Sequence, residues 1–357
     1  MHDLLDESPD GRGKHGHEPR GAGTCETVGF MRGSSNSDTG VSSLIGRATR
    51  VRELLSKFTR HPGFRHAPVR AAVRLVDWRV RCWLGRPGVI IWPDHEPLRM
   101  VLPPIWVSSY IDTYVFRGAD RPDRELTWLA RRLAPGHVFI DIGANIGQWT
   151  MPIAQIVGPT GHVVAIEPAS ATAAALTKGL AVNGLTMATV ISVALSDSDG
   201  TAHLHHHARD PSQHSFAAVG IGSEEVRTRT LDAVLADHPV ERVDAMKLDV
   251  EGAEEIVLRG ASRTLDAHRP IVIFEVCKGL PERLGLDPDG AWRLLDDAGY
   301  RCFRILDGGD VRPAAVKELA GQTGGWNVIA VPGERADGLA RPPVQAEARH
   351  PAPVGGS

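Results

Sequence analysis

A chain of 357 residues, 42% of them hydrophobic, can bury a core of ordinary domain size with extensions and lies far from the composition of a disordered protein. Its formal net charge of −3 at pH 7 excludes the strongly basic signature of a nucleic-acid binder. No run approaches the roughly 18 apolar residues of a membrane span, the N-terminus lacks an apolar signal core, and the four cysteines show no metal-ligand spacing, so a soluble protein of a reducing compartment, the cytoplasm, is expected.

Residues 1–45 are rich in Gly, Ser, His, Asp and Arg and are read as a disordered tail. Residues 46–86 carry eleven Arg or Lys against two acids, Glu53 and Asp77. Within them Val69, Ala72, Val73, Val76, Val80, Trp83 and Leu84 follow helical spacing, with Arg70, Arg74 and Arg81 opposite. The expectation is an amphipathic helix that packs its apolar stripe on the main domain and leaves its arginines in water. The alternative is a peripheral membrane contact through 46–86, because a basic amphipathic helix also suits an anionic surface. Residues 46–120 are taken together as a basic helical N-terminal extension or cap, 121–332 as the main domain, and 333–357 as a second disordered tail.

From residue 137 the pattern alternates regularly. Strand-like runs are His137–Ile142, His162–Glu167, Thr189–Leu195, Val243–Asp249, Pro270–Val276, Tyr300–Ile305 and Trp326–Val331. Helical runs are Ile146–Val157, Ser170–Val182 (closed by Asn183-Gly184), Gly252–Arg259 and Asp289–Ala298. Such alternation argues for a doubly wound α/β fold of seven strands. The last strand follows the sixth without a clear helix and is expected to return antiparallel. Thr201–His207 and Val226–Thr230 read as extra strands, a hairpin inserted beside the main sheet to shape an acceptor pocket.

The run V-F-I-D-I-G-A-N-I-G, Val138–Gly147, reads as a buried strand, a tight glycine turn and a helix start. The next strand ends in Glu167, placed to accept both hydroxyls of a ribose. The glycines are expected to let a ligand approach the backbone where a Cβ would block it. Gly143 and Gly147 lack the intervening glycine of a GxGxxG pyrophosphate loop, and Asp141 ahead of them would repel phosphate but attract an ammonium. S-adenosylmethionine, with an ammonium, a carboxylate and a ribose but no phosphate, fits this pattern better than a dinucleotide.

The blocks F-I-D-I-G-A-N-I-G-Q, V-V-A-I-E-P, R-T-L-D-A-V-L (229–235), M-K-L-D-V-E-G-A-E-E-I-V-L-R-G-A (246–261) and I-V-I-F-E (271–275), in this order, resemble the FkbM-type methyltransferase family over about 120–331. The resemblance implies a Rossmann-like domain, S-adenosylmethionine as cofactor, and methylation of a hydroxyl on a small acceptor such as a sugar or secondary metabolite. It implies Asp141, Gly143, Asn145, Gly147 and Glu167 as cofactor contacts, with Ser196 and Asp197 on the adenine side. One departure from the family is Gly179, where members often have Asn. A mid-helix glycine there costs up to about 1 kcal/mol.

Methyl transfer to a hydroxyl needs alignment and a base. Asp249 and Glu251 at the end of the fourth strand, and Glu275 at the end of the fifth, are the catalytic candidates. Glu251 is also placed to cap the following helix, and Lys247 to pair with a carboxylate. His203, His205 and His207 share one face of a strand, but no carboxylate is spaced to complete a metal site, and none is assigned. His205 or His214 is a further candidate proton acceptor. Two other readings stay open: a non-catalytic cofactor-binding or membrane-surface protein with the same fold, and a nicotinamide-dependent oxidoreductase, against which the missing glycine argues.

Overall fold

Every residue of Val138–Ile142 is buried, as expected of a strand covered on both faces. In the computed structural model this strand sits inside an eight-stranded mixed sheet. The structure describes Thr59, Phe64 and residues 67–92, 97–105, 108–116, 123–207, 214–215, 220–277, 279–306, 309–316, 318 and 326–337, all within one compact unit, Thr59–Ser357. The tail expected at 1–45 lies outside the described residues.

The described chain opens with α1 (Pro68–Leu84), the antiparallel hairpin β1 (Gly88–Ile91) and β2 (Arg99–Leu102), then α2 (Ser108–Phe116) and α3 (Arg124–Ala130). The main domain continues with β3 (Val138–Ile142), α4 (Thr150–Val157), β4 (His162–Ile166), α5 (Ser170–Asn183) and β5 (Ala188–Ile191). A second sheet follows: β6 (Ala194–Leu195), β7 (Gly200–His207), β8 (His214–Ser215) and β9 (Gly220–Arg229). The chain then returns through α6 (Leu231–Asp237), β10 (Ala245–Leu248), α7 (Glu254–Arg259), α8 (Ser262–His268), β11 (Ile271–Val276), α9 (Gly290–Asp297), β12 (Tyr300–Ile305), β13 (Val311–Pro313), β14 (Trp326–Pro332) and α10 (Gly333–Ala336).

The main sheet runs β13-β12-β14-β11-β10-β3-β4-β5. Strands β11, β10, β3, β4 and β5 are parallel, and β14 is antiparallel to both β11 and β12. The doubly wound fold and its returning last strand are as expected, with the short β13 added at the edge. The run Thr189–Leu195 divides: Ala188–Ile191 joins β4, whereas Ala194–Leu195 pairs with β9 in the second sheet. Two core layers follow from strand alternation. Ile140, Ile142, Met246, Leu248 and Phe274 pack on one face with residues of α6 to α9. Phe139, Ala165, Ala245 and Ile273 pack on the other with α3, α4 and α5. The folded chain reaches into the expected C-terminal tail, since α10 buries Ala336 and ties Glu334 to Arg269. Residues 338–357 lie outside the described residues.

The N-terminal extension departs from expectation twice. It includes a β-hairpin, and α1 is turned inside out. Val69 is 76% exposed and Trp83 82%, whereas Ala71 and Trp78 face inward. Trp78 stacks on Tyr114 of α2 with ring centroids 4.8 Å apart. Gly88 permits this, because a Cβ there would stand 2.7 Å from the Trp78 ring. Arg81 pairs with Asp77, which also accepts the Tyr114 hydroxyl, and Arg74 donates to the Val115 carbonyl. One large ring with satisfied polar neighbours thus outranks a stripe of valines. The hairpin is moored to the main domain by Asn183, which accepts from the Arg99 amide at 2.9 Å and donates to the Arg99 carbonyl at 2.7 Å. Among the described residues no helix is long and apolar enough to cross a membrane.

Candidate functional site

Residues 143–149 link β3 to α4, and their backbone explains the glycines. Gly143 has φ +75°, Asn145 +48° and Gly147 +91°. The amides of Gly143 and Ala144 both donate to the Ile166 carbonyl, which pins the turn to the end of β4. A Cβ on Gly143 would lie 1.9 Å from the Asp249 carbonyl oxygen, and one on Gly147 would lie 2.4 Å from Leu176 Cδ1. Both glycines thus admit a close approach of chain to chain, and Gly143 also lines the cleft described below. Gly179 has the same explanation. The Met151 methyl fills the place of its side chain at 2.4 Å, and Asn183 donates to its carbonyl. Its helix-propensity cost is offset by close packing between α5 and α4.

Glu167 follows β4 and is 4% exposed. One carboxylate oxygen accepts from the Asn145 amide and the other from the Ala169 amide, each at 2.9 Å. Burial pushes its carboxyl up to about 7 despite these donors. Each oxygen keeps lone pairs for further donors. Asn145 is held from its other side by Tyr110 of α2, whose hydroxyl reaches its Oδ1 at 3.4 Å. The extension therefore touches the loop. Nothing in the spacing of Tyr110 signals this contact, because it depends on where α2 docks.

Beneath the loop lies a buried polar group. Asp141 and Lys247 are register partners on neighbouring strands. Asp141 is fully buried; one oxygen accepts from the Thr150 hydroxyl at 2.6 Å and the other, Oδ1, has no partner. Burial pushes its carboxyl up, against the pull of Lys247. Burial draws the Lys247 ammonium down, but Asp249 and Asp141 outweigh it and hold it above its usual range. Its Nζ lies 2.9 Å from Asp249 Oδ2 and 5.6 Å from the centroid of the Trp149 ring. The Trp149 indole donates to Asp123, the cap of α3.

The loop opens on a cleft of about 140 Å³. Gly143, Asn145 and Glu167 line one side, and Asp249, Val250 and Glu251 another. Val193, Ala194, Leu195 and Leu204 of the second sheet and its approach form an apolar wall. Glu251 holds φ +53°, an uncommon backbone for a non-glycine residue and a feature of functional turns.

Of the other candidates, Asp141 and Gly147 support the loop rather than line the cleft. Ser196 and Asp197 lie just past the apolar wall, with the Ser196 amide bonded to the Arg229 carbonyl. Glu275 lines a second, smaller cavity with Glu254, Glu255 and Cys277, and burial and the charge of Asp249 push its carboxyl up. On β7, Leu204 faces the cleft, so His203 and His205 point to the opposite face; the side chains of His207 and His214 lie outside the described residues. Among the described residues no cluster of three metal-ligating side chains occurs. Glu254, which the sequence did not single out, accepts from the amides of Val250 and Gly252 and braces the turn that carries Glu251. Burial raises its carboxyl to about 7.

Comparison with known proteins agrees with the region identified by sequence. Residues 141–302 match the model of the methyltransferase FkbM domain. No curated protein matches the chain. Among solved structures, a methyltransferase FkbM from Methylobacillus flagellatus KT is 15% identical over 62% of this chain and 52% of that one, with a TM-score of 0.37. A precorrin-6y C5,15-methyltransferase from Geobacter metallireducens GS-15 is 16% identical over 58% and 87%, with a TM-score of 0.34. Aeropyrum pernix fibrillarin, solved with natively bound S-adenosyl-L-methionine, is 15% identical over 56% and 67%, with a TM-score of 0.32.

Proposed function

We propose that this chain, whose residues 141–302 form a methyltransferase domain of the FkbM family, transfers a methyl group to a hydroxyl of a small acceptor such as a sugar or secondary metabolite. The observation that carries the reading is the cleft in which Glu167 and Asn145 face Asp249 and Glu251. S-adenosylmethionine is the methyl donor of this class, and the residues present fit it. Glu167 would accept from the ribose hydroxyls. The wall of Val193, Ala194, Leu195 and Leu204 suits an apolar purine face. The unpartnered oxygen of Asp141, buried beneath the loop, calls for a donor, and the ammonium would reach it through a water.

When bound, the cofactor supplies a methyl carbon already activated by its sulfonium. What the chain must add is alignment and a destination for the acceptor's proton. Asp249 takes that proton. Lys247 holds the Asp249 carboxylate in place. Glu251, beside it on the strained turn, positions the acceptor by hydrogen bonding. The scattered cysteines support a cytoplasmic enzyme.

The test is transfer of label from methyl-labelled cofactor to a panel of sugars and polyketides. Asp249→Asn should lower kcat about 10²- to 10⁴-fold with little change in cofactor affinity. An Asp249→Asn enzyme of wild-type kcat would remove Asp249 as the base. Absence of cofactor binding by the intact chain would overturn the whole reading.

A further inference from the structure

The outward face of α1 has no role in the cleft. Val69, Val73, Val76, Val80, Trp83 and Leu84 are each at least 44% exposed, an arrangement that soluble surfaces avoid. At 3.6 residues per turn they fall within an arc of about 100°. Exposed Arg70 and Arg79 lie about 40° beyond its two edges. Asp77, the single acid of the helix, borders the arc but is engaged by Arg81 and Tyr114. The opposite side is fixed to the body by Trp78 on Tyr114 and by Arg74 on the Val115 carbonyl. The helix is therefore held rigidly with its apolar stripe outward and cationic side chains along both borders.

We propose that this face docks on an anionic lipid bilayer. Charge selects this occupant. The described residues 67–86 carry five arginines, at 70, 74, 79, 81 and 86, against the single acid Asp77, in a chain whose net charge is −3, so α1 and its C-terminal end are positive where the chain as a whole is not. Valines and Leu84 enter the acyl boundary, Trp83 sits at the headgroup level, and Arg70 and Arg79 meet lipid phosphates. This docking does not depend on the methyl-transfer reading, and its tests need no catalysis.

The experiment is co-sedimentation of the full-length chain with phosphatidylcholine vesicles, with and without about one third phosphatidylglycerol. Removal of the N-terminus through α1 is a poor substitute, because it would also strip Trp78 from Tyr114. Wild type should bind the anionic vesicles and leave the neutral ones free. Val76→Glu with Trp83→Glu, both exposed positions, should weaken binding about tenfold or more at unchanged Tm. Arg70→Glu with Arg79→Glu should remove the preference for anionic lipid. Quenching by brominated lipid should be lost in Trp83→Phe. The proposal fails if wild type stays in the supernatant, or if Val76→Glu/Trp83→Glu binds like wild type, which would assign binding to charge elsewhere. It also fails if light scattering shows a dimer that this variant dissociates, which would make a second copy the occupant.

Discussion

Gly143→Ala separates two roles for the glycine at the head of the loop. The new methyl would start 1.9 Å from the Asp249 carbonyl oxygen, and backbone rather than a flexible side chain would have to give way. Restoring ordinary contact needs a shift of about 1.5 Å, an overpacking that costs about 1–3 kcal/mol. The positive φ of +75° adds about 1–2 kcal/mol for a residue with a Cβ. The total is about 2–5 kcal/mol. For a folded unit spanning Thr59–Ser357, the unfolding entropy is about 0.6 kcal/mol/K, so Tm should fall by about 3–8 °C. Gly184→Ala is the control: its φ is +67° but nothing lies within 4 Å, so only the strain remains and the fall should be about 2–3 °C. Differential scanning calorimetry of the cofactor-free protein reads both. If Gly143→Ala melts with wild type and loses only cofactor affinity, the glycine serves ligand approach after all.

Glu167→Gln keeps the shape and removes the charge proposed to meet the cofactor hydroxyls; titration calorimetry should show cofactor Kd rising about 10- to 100-fold, and an unchanged Kd would remove Glu167 from the site. Tyr110→Phe should raise Kd about 3- to 10-fold with kcat held, because it loosens Asn145 without touching the acceptor side; equal affinities would make the contact of α2 with the loop incidental. Glu167 and Glu254 both titrate near 7 in the fold against an ordinary 4.5. Between those values the folded chain holds protons that the unfolded chain has released. Their contribution is thus fully present below 4.5 and is lost as pH rises to about 7, by at most about 3 kcal/mol each. Tm of the cofactor-free protein should decline across that window and Glu254→Gln should flatten the decline; a slope identical in the variant would refute the assignment.

The strands and the loop were legible because apolar runs such as Val138–Ile142 are bounded by glycines, and because Glu167 follows at strand distance. Partners set by tertiary docking were not. Tyr110 is an ordinary helical aromatic until α2 is placed against Asn145. The helical spacing in α1 marks a helix but not its direction, since periodicity identifies a stripe and not which side the larger ring anchors. Thr189–Leu195 reads as one strand, and only pairing shows it serving two sheets. Glu254 looked like one acid among several at a helix start. Its burial under the turn, not its spacing, makes it a brace.

The antiparallel strand β14 lies between β11 and β12, although it follows both in the chain and is the last of the described strands. A chain emerging from the ribosome therefore has β11 and β12 available long before the segment that joins them. Each waits with a full row of unbonded amides and carbonyls, in hydrophobic strands, until Trp326–Pro332 appears. A fragment ending at residue 302, where the family match stops, would contain the whole β3–α4 loop, cut β12 after Cys302 and leave the edge of β11 open. Its expected fate is self-association by edge pairing rather than an isolated domain. Closure of the sheet thus waits for β14, which acts as the latch that covers the facing edges of β11 and β12.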